Sequence, residues 1–524
     1  MPELPGLRPG EPVSLLLRNA RLPGGDDLVN LQVDDGRIRQ MAPAGTTGRA
    51  GPGAAPEVVD LGGRFVIPGL WDNHVHFTQW AQTLRRLNVA AASSAAAVAD
   101  LVAAHLAATG GTGITGHYGD QRPETLIGFG FRDALWADAP SRAVLDAASA
   151  SAAGPVPVVL VSADLHSCWL NTAALEHFGF AGHPTGLLRE ADSFRAVEAL
   201  DTISDTVLDD WAADAARAAA ARGVVGIVDL EMTWNLESWQ RRMLSGTYDL
   251  RVEFGIYSQH LQRAVDLGLA SGQVIAGTGG LLQVGPYKVI TDGSLNTRTA
   301  YCLDPYPGHT GTHTHGQLTV PVDALRDLLR LAVGAGLRPA VHAIGDHANR
   351  LALDAFATLR AEGLPHGGSI EHAQLLGHTD VRRFAELGIV ASVQPEHALD
   401  DREVAEVLWA GRTERAFPLA SLLEAGVELA FGSDAPVAPL DPWISMAAAV
   451  GRSRDGSDAW HSEQAVSRQA ALAASTRGLS RVRVGQTADL AVCEIDPLAA
   501  SVTELRHMPV AATLLGGRFT HRLL

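Results

Sequence analysis

The stretch "RFVIPGLWDNHVHF", Arg64 to Phe77, places two histidines directly after an apolar run. His74 and His76 are separated by one valine, and side chains two positions apart on a β-strand point to the same side. The chain has 20 histidines among 524 residues, and a second His-x-His pair occurs at His313 and His315, so such a pair carries little weight alone. Whether His74 and His76 bind a metal depends on their place in the fold and on which other residues lie close to them.

Short apolar stretches continue along the middle of the chain, and helical patterns lie between most of them. The candidate strands lie in the segments "FVIPGLWDNHVHF", "GIVDLE", "RVEFGIY", "PYKVITDG", "RPAVHAIGD", "GSIEHAQL", "IVASVQPEH" and "ELAFGSDAP". Alternating strands and helices are typical of βαβ units, and eight such units close into a barrel. The sequence therefore predicts an α/β fold, a (β/α)8 TIM-like barrel over residues 66–479, with an inserted subdomain at about 78–205.

Both ends of the chain show short alternating stretches separated by turn residues. Asp35-Gly36 is typical of a two-residue hairpin turn, and the tetrapeptide "GGRF" occurs at residues 62–65 and again at 516–519. We therefore predict that residues 1–65 and 480–524 form one small composite β-sandwich domain built from both termini.

The composition narrows the class of protein. The chain is 46% hydrophobic and 19% charged, which is ordinary for a globular enzyme, and its net charge is −17. This charge argues against nucleic acid as a partner, because phosphate binding needs basic patches. Only three cysteines are present, so neither a disulfide framework nor a cysteine zinc cluster is expected. The N-terminus lacks a signal-peptide pattern and no run of 18 apolar residues occurs, so we expect a cytoplasmic protein without a membrane partner.

Residues of metal-ligand type follow several of the predicted barrel strands. In this fold the active site forms at the carboxyl ends of the strands. The residues expected there are His74 and His76 on the first strand, Lys288 on the fourth, His342 on the fifth, His372 on the sixth and Asp434 after the eighth. Imidazoles and carboxylates suit a divalent metal such as zinc at an open catalytic site. The sequence therefore predicts a metal centre at the barrel mouth.

The second pair, His313 and His315, lies in a loop rich in glycine and threonine, with no strand before it. We do not expect these two histidines to be primary ligands, and a contact with substrate or a role in a lid is the alternative.

The opening motif is similar to a known pattern. "VIPGLWDNHVHF" resembles the "PG-x-x-D-x-H-x-H" opening of the metal-dependent amidohydrolase superfamily. Further stretches narrow the resemblance to the branch of N-substituted formamide deformylases: "DLHSCWLNTAAL" (164–175), "PTGLLRE" (184–190), "YKVITDGSLNTRTA" (287–300), "HAIGD" (342–346), "IEHAQ" (370–374), "SVQPEH" (392–397) and "FGSDAPV" (431–437). The resemblance covers nearly the whole chain. One departure is His347, which stands where relatives usually have arginine.

The resemblance implies a site for one or two divalent ions per chain, zinc being expected. In it, His74 and His76 bind the first metal, His342 and His372 bind the second, an N6-carboxylated Lys288 bridges the two, and Asp434 completes the first metal and acts as proton shuttle. Two alternatives stay open: Lys288 is unmodified and pairs with Asp292 beside a single metal, or Asp434 is a helix N-cap.

A second group of residues is expected to contact substrate: His166, Trp169, Asn171, Asp292, Arg298 and His397. Trp169 could equally belong to a core, and Arg298 could brace its loop by pairing with Asp292. Tyr118 and Asp120 are weaker candidates.

Together these features predict hydrolysis of a C–N amide-type bond, in an N-formyl or N-acyl amine, by a metal-activated hydroxide with Asp434 as proton shuttle. A lactone, ester or cyclic amide hydrolase using the same site is the alternative among enzymes. A metal-binding or regulatory barrel without turnover is the non-enzyme alternative, and it would be expected to have a broken ligand set. The expected partners are a small-molecule substrate and a second copy of the chain in a homodimer.

Overall fold

The computed structural model describes residues 14–45, 56–109, 125–150, 155–200, 203–308 and 311–524. Tyr118 and Asp120, the weaker candidates for a substrate contact, lie outside the described residues. Within the described ranges, no helix is long and apolar enough to cross a membrane.

The N-terminal strands begin the small domain. They are β1 (Ser14–Arg21), β2 (Leu28–Asp34), β3 (Arg37–Pro43), β4 (Glu57–Asp60) and β5 (Phe65–Pro68). Asp35 and Gly36 connect β2 to β3 with positive φ angles of 50° and 70°. Two successive positive φ angles are typical of the type I′ hairpin turn, as the Asp-Gly pair predicts.

The chain then passes from the small domain into the barrel through Gly69. The first barrel strand is β6 (Leu70–Val75), and α1 (Phe77–Thr83) follows it. A Cβ atom at Gly69 would lie 2.3 Å from Val225 Cγ1, so the close approach of the two segments requires glycine.

An insertion follows α1 and forms its own sheet. Its elements are β7 (Leu87–Asn88), α2 (Ala95–Ala108), β8 (Leu126–Phe131), α3 (Arg142–Ala148), β9 (Val158–Ser162), β10 (Ser167–Leu170), α4 (Thr172–His177), β11 (Leu187–Arg189) and α5 (Ala191–Leu200). The strand order is β11-β10-β9-β8-β7. The two faces of this sheet are covered by separate apolar clusters, one around Trp169 and one around Leu170, so the insertion has its own core.

The remaining barrel elements alternate strands with helices. They are α6 (Asp205–Ala220), β12 (Val224–Asp229), α7 (Leu236–Leu244), β13 (Arg251–Tyr257), α8 (Leu261–Asp266), β14 (Leu282–Ile290), α9 (Val322–Gly334), β15 (Pro339–Ala343), α10 (Asp346–Ala361), β16 (Gly368–His372), α11 (His378–Leu387), β17 (Ile389–Val393), α12 (His397–Asp400), α13 (Arg402–Leu408), α14 (Leu419–Glu424), β18 (Leu429–Phe431), α15 (Pro442–Gly451) and α16 (Arg468–Ala474). Short 3-10 turns occupy Ser258–His260, Thr413–Arg415 and Ser462–Gln464.

The barrel sheet has the order β18-β17-β16-β15-β14-β13-β12-β6, and its ladders are parallel. A single parallel bridge between Val75 and Ala435 joins the two ends and nearly closes it. Each of the eight stretches predicted as barrel strands overlaps one of these strands, although β12 and β14 begin before the predicted stretches. The predicted (β/α)8 fold is therefore confirmed.

The C-terminal elements return to the small domain. They are β19 (Leu490–Cys493), α17 (Val502–Arg506), β20 (Val510–Leu515) and β21 (Arg518–Arg522). Strands from both termini form one sheet of order β21-β20-β19-β5-β1-β2-β3, with β4 beside β1. This arrangement confirms the small β domain made by both ends, whereas the boundaries at residues 65 and 480 stay predictions. Arg251 joins the barrel to the small domain through two hydrogen bonds to Asp489, of 2.7 and 3.0 Å.

Candidate metal centre

A large cavity of about 900 Å³ opens at the carboxyl ends of the barrel strands. All the predicted metal ligands line it: His74, His76, Lys288, His342, His372 and Asp434. Residues of the insertion, including Phe131, His166 and Phe194, form part of its wall. The folding of the barrel thus brings residues more than 300 positions apart in sequence to one end of one cavity.

Asp434 lies at the centre of the first group of ligands. Its Oδ1 atom is 3.4 Å from His74 Nε2 and 3.3 Å from His76 Nε2, and its Oδ2 atom is 4.0 Å from His372 Nδ1. Burial by itself would raise the pKa of Asp434, but the surrounding imidazoles outweigh it and hold that pKa well below its usual range. The alternative of a helix N-cap does not hold, because the cap of α15 is Asp441.

Buried imidazole nitrogens without hydrogen-bond partners mark the same region. His76 Nδ1, His342 Nε2 and His372 Nδ1 have none within the described part of the chain. A buried polar atom left unpaired costs about 1–3 kcal/mol, so such atoms indicate a missing partner. Burial holds the pKa of both His342 and His372 well below its ordinary value, which keeps these rings neutral. Neutral imidazoles are metal ligands, and this donor set therefore fits a divalent cation.

Lys288 is buried within this group, only 1% exposed, with its Nζ atom 3.4 Å from His74 Nε2. Among the described residues no carboxylate oxygen lies within ion-pair distance of Nζ. The alternative pairing with Asp292 is therefore not formed. Asp292 instead accepts hydrogen bonds from the backbone N–H groups of Ile344, Gly345 and Tyr301, while burial raises its pKa to about 7.

Two buried carboxylates hold parts of the site in place. Asp72 is expected from the sequence to orient a neighbouring backbone or ligand rather than to bind metal, whereas no such role is predicted for Glu371. Glu371 Oε2 lies 2.7 Å from His74 Nδ1, and Asp72 accepts hydrogen bonds from the backbone N–H groups of His74 and Ser433. Asp72 therefore ties the end of the first strand to the segment that carries Asp434. Glu371 precedes His372 in "IEHAQ", but its contact with His74 crosses the barrel and is invisible in the linear sequence.

The predicted substrate contacts divide into two groups. His166, Asp292 and His397 line the cavity. Arg298 is exposed and lies outside the lining that the described residues form.

Trp169 and Asn171 require a correction. Trp169 is fully buried in the core of the insertion, and its indole N–H donates to the Ser141 carbonyl. Asn171 caps α4 by accepting from the Ala174 N–H, and its amide donates to Ser149 Oγ. These contacts assign both residues to the packing of the insertion, because neither belongs to the cavity lining.

The histidines of uncertain role also lie away from the cavity lining. His315 Nδ1 is 3.2 Å from the Cys302 carbonyl oxygen, and the ring of His347 stacks on Tyr301 with centroids 4.6 Å apart. These contacts give His315 and His347 local structural roles.

The insertion is attached to the barrel by polar contacts around the cavity mouth. Arg132 pairs with Asp400 at 3.0 Å, and Ser294 Oγ donates to Asp164 at 3.0 Å. Sequence reasoning did not find these pairs, because each joins segments that are distant in sequence.

Comparisons with known proteins agree with this geometry. The profile of the amidohydrolase family matches residues 57–521. The chain is 28% identical over 506 residues to Protein LONG AFTER FAR-RED 3 of Arabidopsis thaliana, covering 89% of this chain and 82% of that protein. It is 26% identical over 547 residues to the N-substituted formamide deformylase of Arthrobacter pascens, covering 93% of each.

A solved structure shares the fold. An uncharacterized metal-dependent hydrolase from Pyrococcus horikoshii OT3 superposes with a TM-score of 0.75 at 23% identity, over 94% of this chain and 99% of that one. The family match spans most of the chain and includes all six ligand positions. The chain therefore belongs to the amidohydrolase family and is a hydrolase.

Proposed function

We propose that this protein hydrolyses the C–N amide-type bond of a small N-formyl or N-acyl amine. The observation that carries the proposal is the meeting of four histidines, Lys288 and Asp434 at one end of a cavity large enough for a small molecule. Similarity to an N-substituted formamide deformylase over 93% of the chain supports this bond type among the reactions that hydrolases perform.

Zinc is the metal that we propose for the site. His74, His76 and Asp434 would hold one ion, and His342 and His372 would hold a second. Ligand atoms of His74, His372 and Asp434 lie within 4.8 Å of one another. Ring nitrogens of His76, His342 and His372 lack hydrogen-bond partners among the described residues. When bound, such a metal lowers the pKa of a water molecule to near 7 and polarises the scissile carbonyl.

The carbamate on Lys288 is part of the proposal. A buried ammonium without a carboxylate partner is costly, since burial of an unpaired charge carries a large desolvation penalty. Reaction of the neutral amine with CO₂ would convert the side chain into an anion. An anion at this position balances the positive charge that metals bring to a group of neutral histidines.

Asp434 has the role of proton shuttle, and its first step is to accept a proton. Its carboxylate is held by neighbouring imidazoles in the ionised form, 3.3 Å from His76. From this position it takes a proton from the water that attacks the substrate carbonyl. Residues of the insertion form part of the cavity wall, where they would limit access of bulk water to the reacting bond.

The location of the protein and its oligomeric state are also part of the proposal. We propose that the chain acts in the cytoplasm as a homodimer, and light scattering of the purified protein tests the oligomeric part. A molecular mass of one chain would contradict the dimer.

A hydrolysis screen with zinc-loaded protein tests the proposed function. The panel contains N-formyl and N-acyl amines, with lactones, esters and cyclic amides as competing classes. We expect kcat/KM to be higher for acyclic amides than for lactones, esters or cyclic amides. Preference for lactones or esters, with no measurable amide cleavage, would contradict the proposal.

A further inference from the structure

The insertion places a histidine and a glutamate together in the cavity wall, apart from the metal ligands. His166 Nδ1 lies 3.0 Å from Glu190 Oε2. Thr299, in the loop after β14, donates to Glu190 Oε1 at 3.0 Å. The N–H of Glu190 also donates to the backbone carbonyl of His166. The pair is therefore held by the insertion and by the barrel at once.

The second ring nitrogen of His166 is available to a ligand. The side chain lines the cavity and is 17% exposed. In the described ranges no residue makes a hydrogen bond to Nε2. A carboxylate at Nδ1 fixes the ring orientation and stabilises the protonated ring. His166 therefore presents an oriented Nε2 to whatever the cavity binds.

Charges around His166 favour the protonated form. Burial by itself would lower the pKa of His166, but the hydrogen bond and the charge of Glu190, together with Asp164 and Asp434, raise it above its ordinary value. Asp164 is itself fixed by hydrogen bonds from Ser294 and Ser162. These charges therefore favour the form of the ring that carries a proton on Nε2.

We propose that His166 is the proton donor to the leaving nitrogen of the substrate, and that Glu190 is its positioning residue. This inference rests on the proposed C–N hydrolysis and departs from the expected shuttle in one step. Asp434 still accepts the proton of the attacking water, whereas His166, in place of Asp434, protonates the leaving nitrogen. Asp434 stands on the barrel between His74 and His76, whereas His166 reaches the cavity from the insertion. A substrate that lies between barrel and insertion meets one group on each side.

The proton transfers balance over one turnover. Asp434 takes a proton from water as the water oxygen bonds to the carbonyl carbon. When the C–N bond breaks, its electron pair goes to nitrogen, which takes the proton from His166 Nε2. The proton on Asp434 then returns to His166 through solvent. The products are a carboxylic acid and an amine, and the protein regains its starting protonation state.

The dependence of rate on the leaving group tests this role. The His166→Gln variant is compared with the unmodified protein on three compounds that share the best acyl group of the screen: an alkylamide, a 4-nitroanilide and a 4-nitrophenyl ester. Loss of a general acid lowers kcat by about 100-fold or more on the alkylamide. The ester should lose less than about 10-fold, because 4-nitrophenolate leaves without protonation. The anilide should fall between them.

Glu190 provides a second, independent test. Glu190→Gln should give the same order of losses in a weaker form, and should move the alkaline limb of the kcat/KM profile to lower pH, since the pKa of His166 falls without the carboxylate. Glu190→Asp should restore part of both properties. His177→Gln, an exposed histidine of the same insertion, is the matched control and should behave as the unmodified protein.

The outcomes separate this inference from the proposed function. If the unmodified protein cleaves no amide, the proposed function fails. If it cleaves amides and His166→Gln slows all three compounds by the same factor, the proton-donor role is wrong. If His166→Gln does not fold, the Glu190→Gln variant is measured on the same three compounds instead. An unchanged pH profile of kcat/KM in that variant overturns the inference.

Discussion

His74 Nδ1 lies 2.7 Å from Glu371 Oε2, and the two side chains are only 1% and 3% exposed. Ser369 Oγ donates to the other carboxylate oxygen, so the carboxylate is itself held in place. An ionised carboxylate can only accept a hydrogen bond, so this contact assigns the ring hydrogen of His74 to Nδ1. Nε2, which lies 3.4 Å from both Asp434 Oδ1 and Lys288 Nζ, then keeps its lone pair. Carboxylates in this position orient a metal-binding histidine and raise its basicity.

The Glu371→Gln variant should therefore bind zinc more weakly, by about 10- to 100-fold. Competition with a chromophoric chelator measures the affinity. Glu386→Gln, an exposed glutamate at the end of α11, is the control and should bind zinc with unchanged affinity. Equal zinc affinities for Glu371→Gln and the unmodified protein would show that the contact does not position His74.

Asp434→Asn should separate metal binding from turnover. The amide oxygen can still bind a metal, but the side chain can no longer accept a proton. We expect elemental analysis to find metal in the variant and kcat to fall by about 100-fold or more. A variant with metal bound and an unchanged rate would remove Asp434 from proton transfer.

Much of the barrel and of its ligand set can be predicted from the sequence, because the signals lie in short continuous stretches. Parallel barrel strands are buried on both faces, so each appears as a short apolar run, and a ligand after such a run stands at the barrel mouth. His342 and His372 could be placed in this way without any knowledge of how the strands pair.

The residues that orient the ligands were harder to predict, because their contacts cross the fold. Glu371 meets His74 from the opposite part of the chain, and Glu190 meets His166 through the pairing of β10 with β11. Trp169 was wrongly expected at the cavity for a related reason. The Trp169 side chain faces the core of the insertion. Which face of β10 packs against that core depends on tertiary packing that a single sequence does not show.

Carbamylation of Lys288 can be observed directly. Protein equilibrated with ¹³C-labelled bicarbonate should give a carbamate carbonyl signal by NMR, and the Lys288→Met variant should not. The variant should also bind less zinc per chain, since the proposed bridging anion is lost. The same spectrum for both proteins would place the label elsewhere and contradict the carbamate on Lys288.

Trp169→Phe tests the structural role given to this residue. The variant loses the hydrogen bond to the Ser141 carbonyl, at a cost of about 1 kcal/mol in the free energy of unfolding. Chemical denaturation measures this loss. KM for the best amide should stay unchanged, whereas a large rise in KM with unchanged stability would return Trp169 to the substrate site.

Removal of the metal tests the central claim most directly. Protein treated with a strong chelator and dialysed should lose its amide hydrolysis. Stepwise addition of zinc should restore the activity in proportion to the metal bound, up to one or two equivalents per chain. Metal-free protein, verified by elemental analysis, that still hydrolyses its best substrate at the original rate would contradict a metal-dependent reaction at His74, His76 and Asp434.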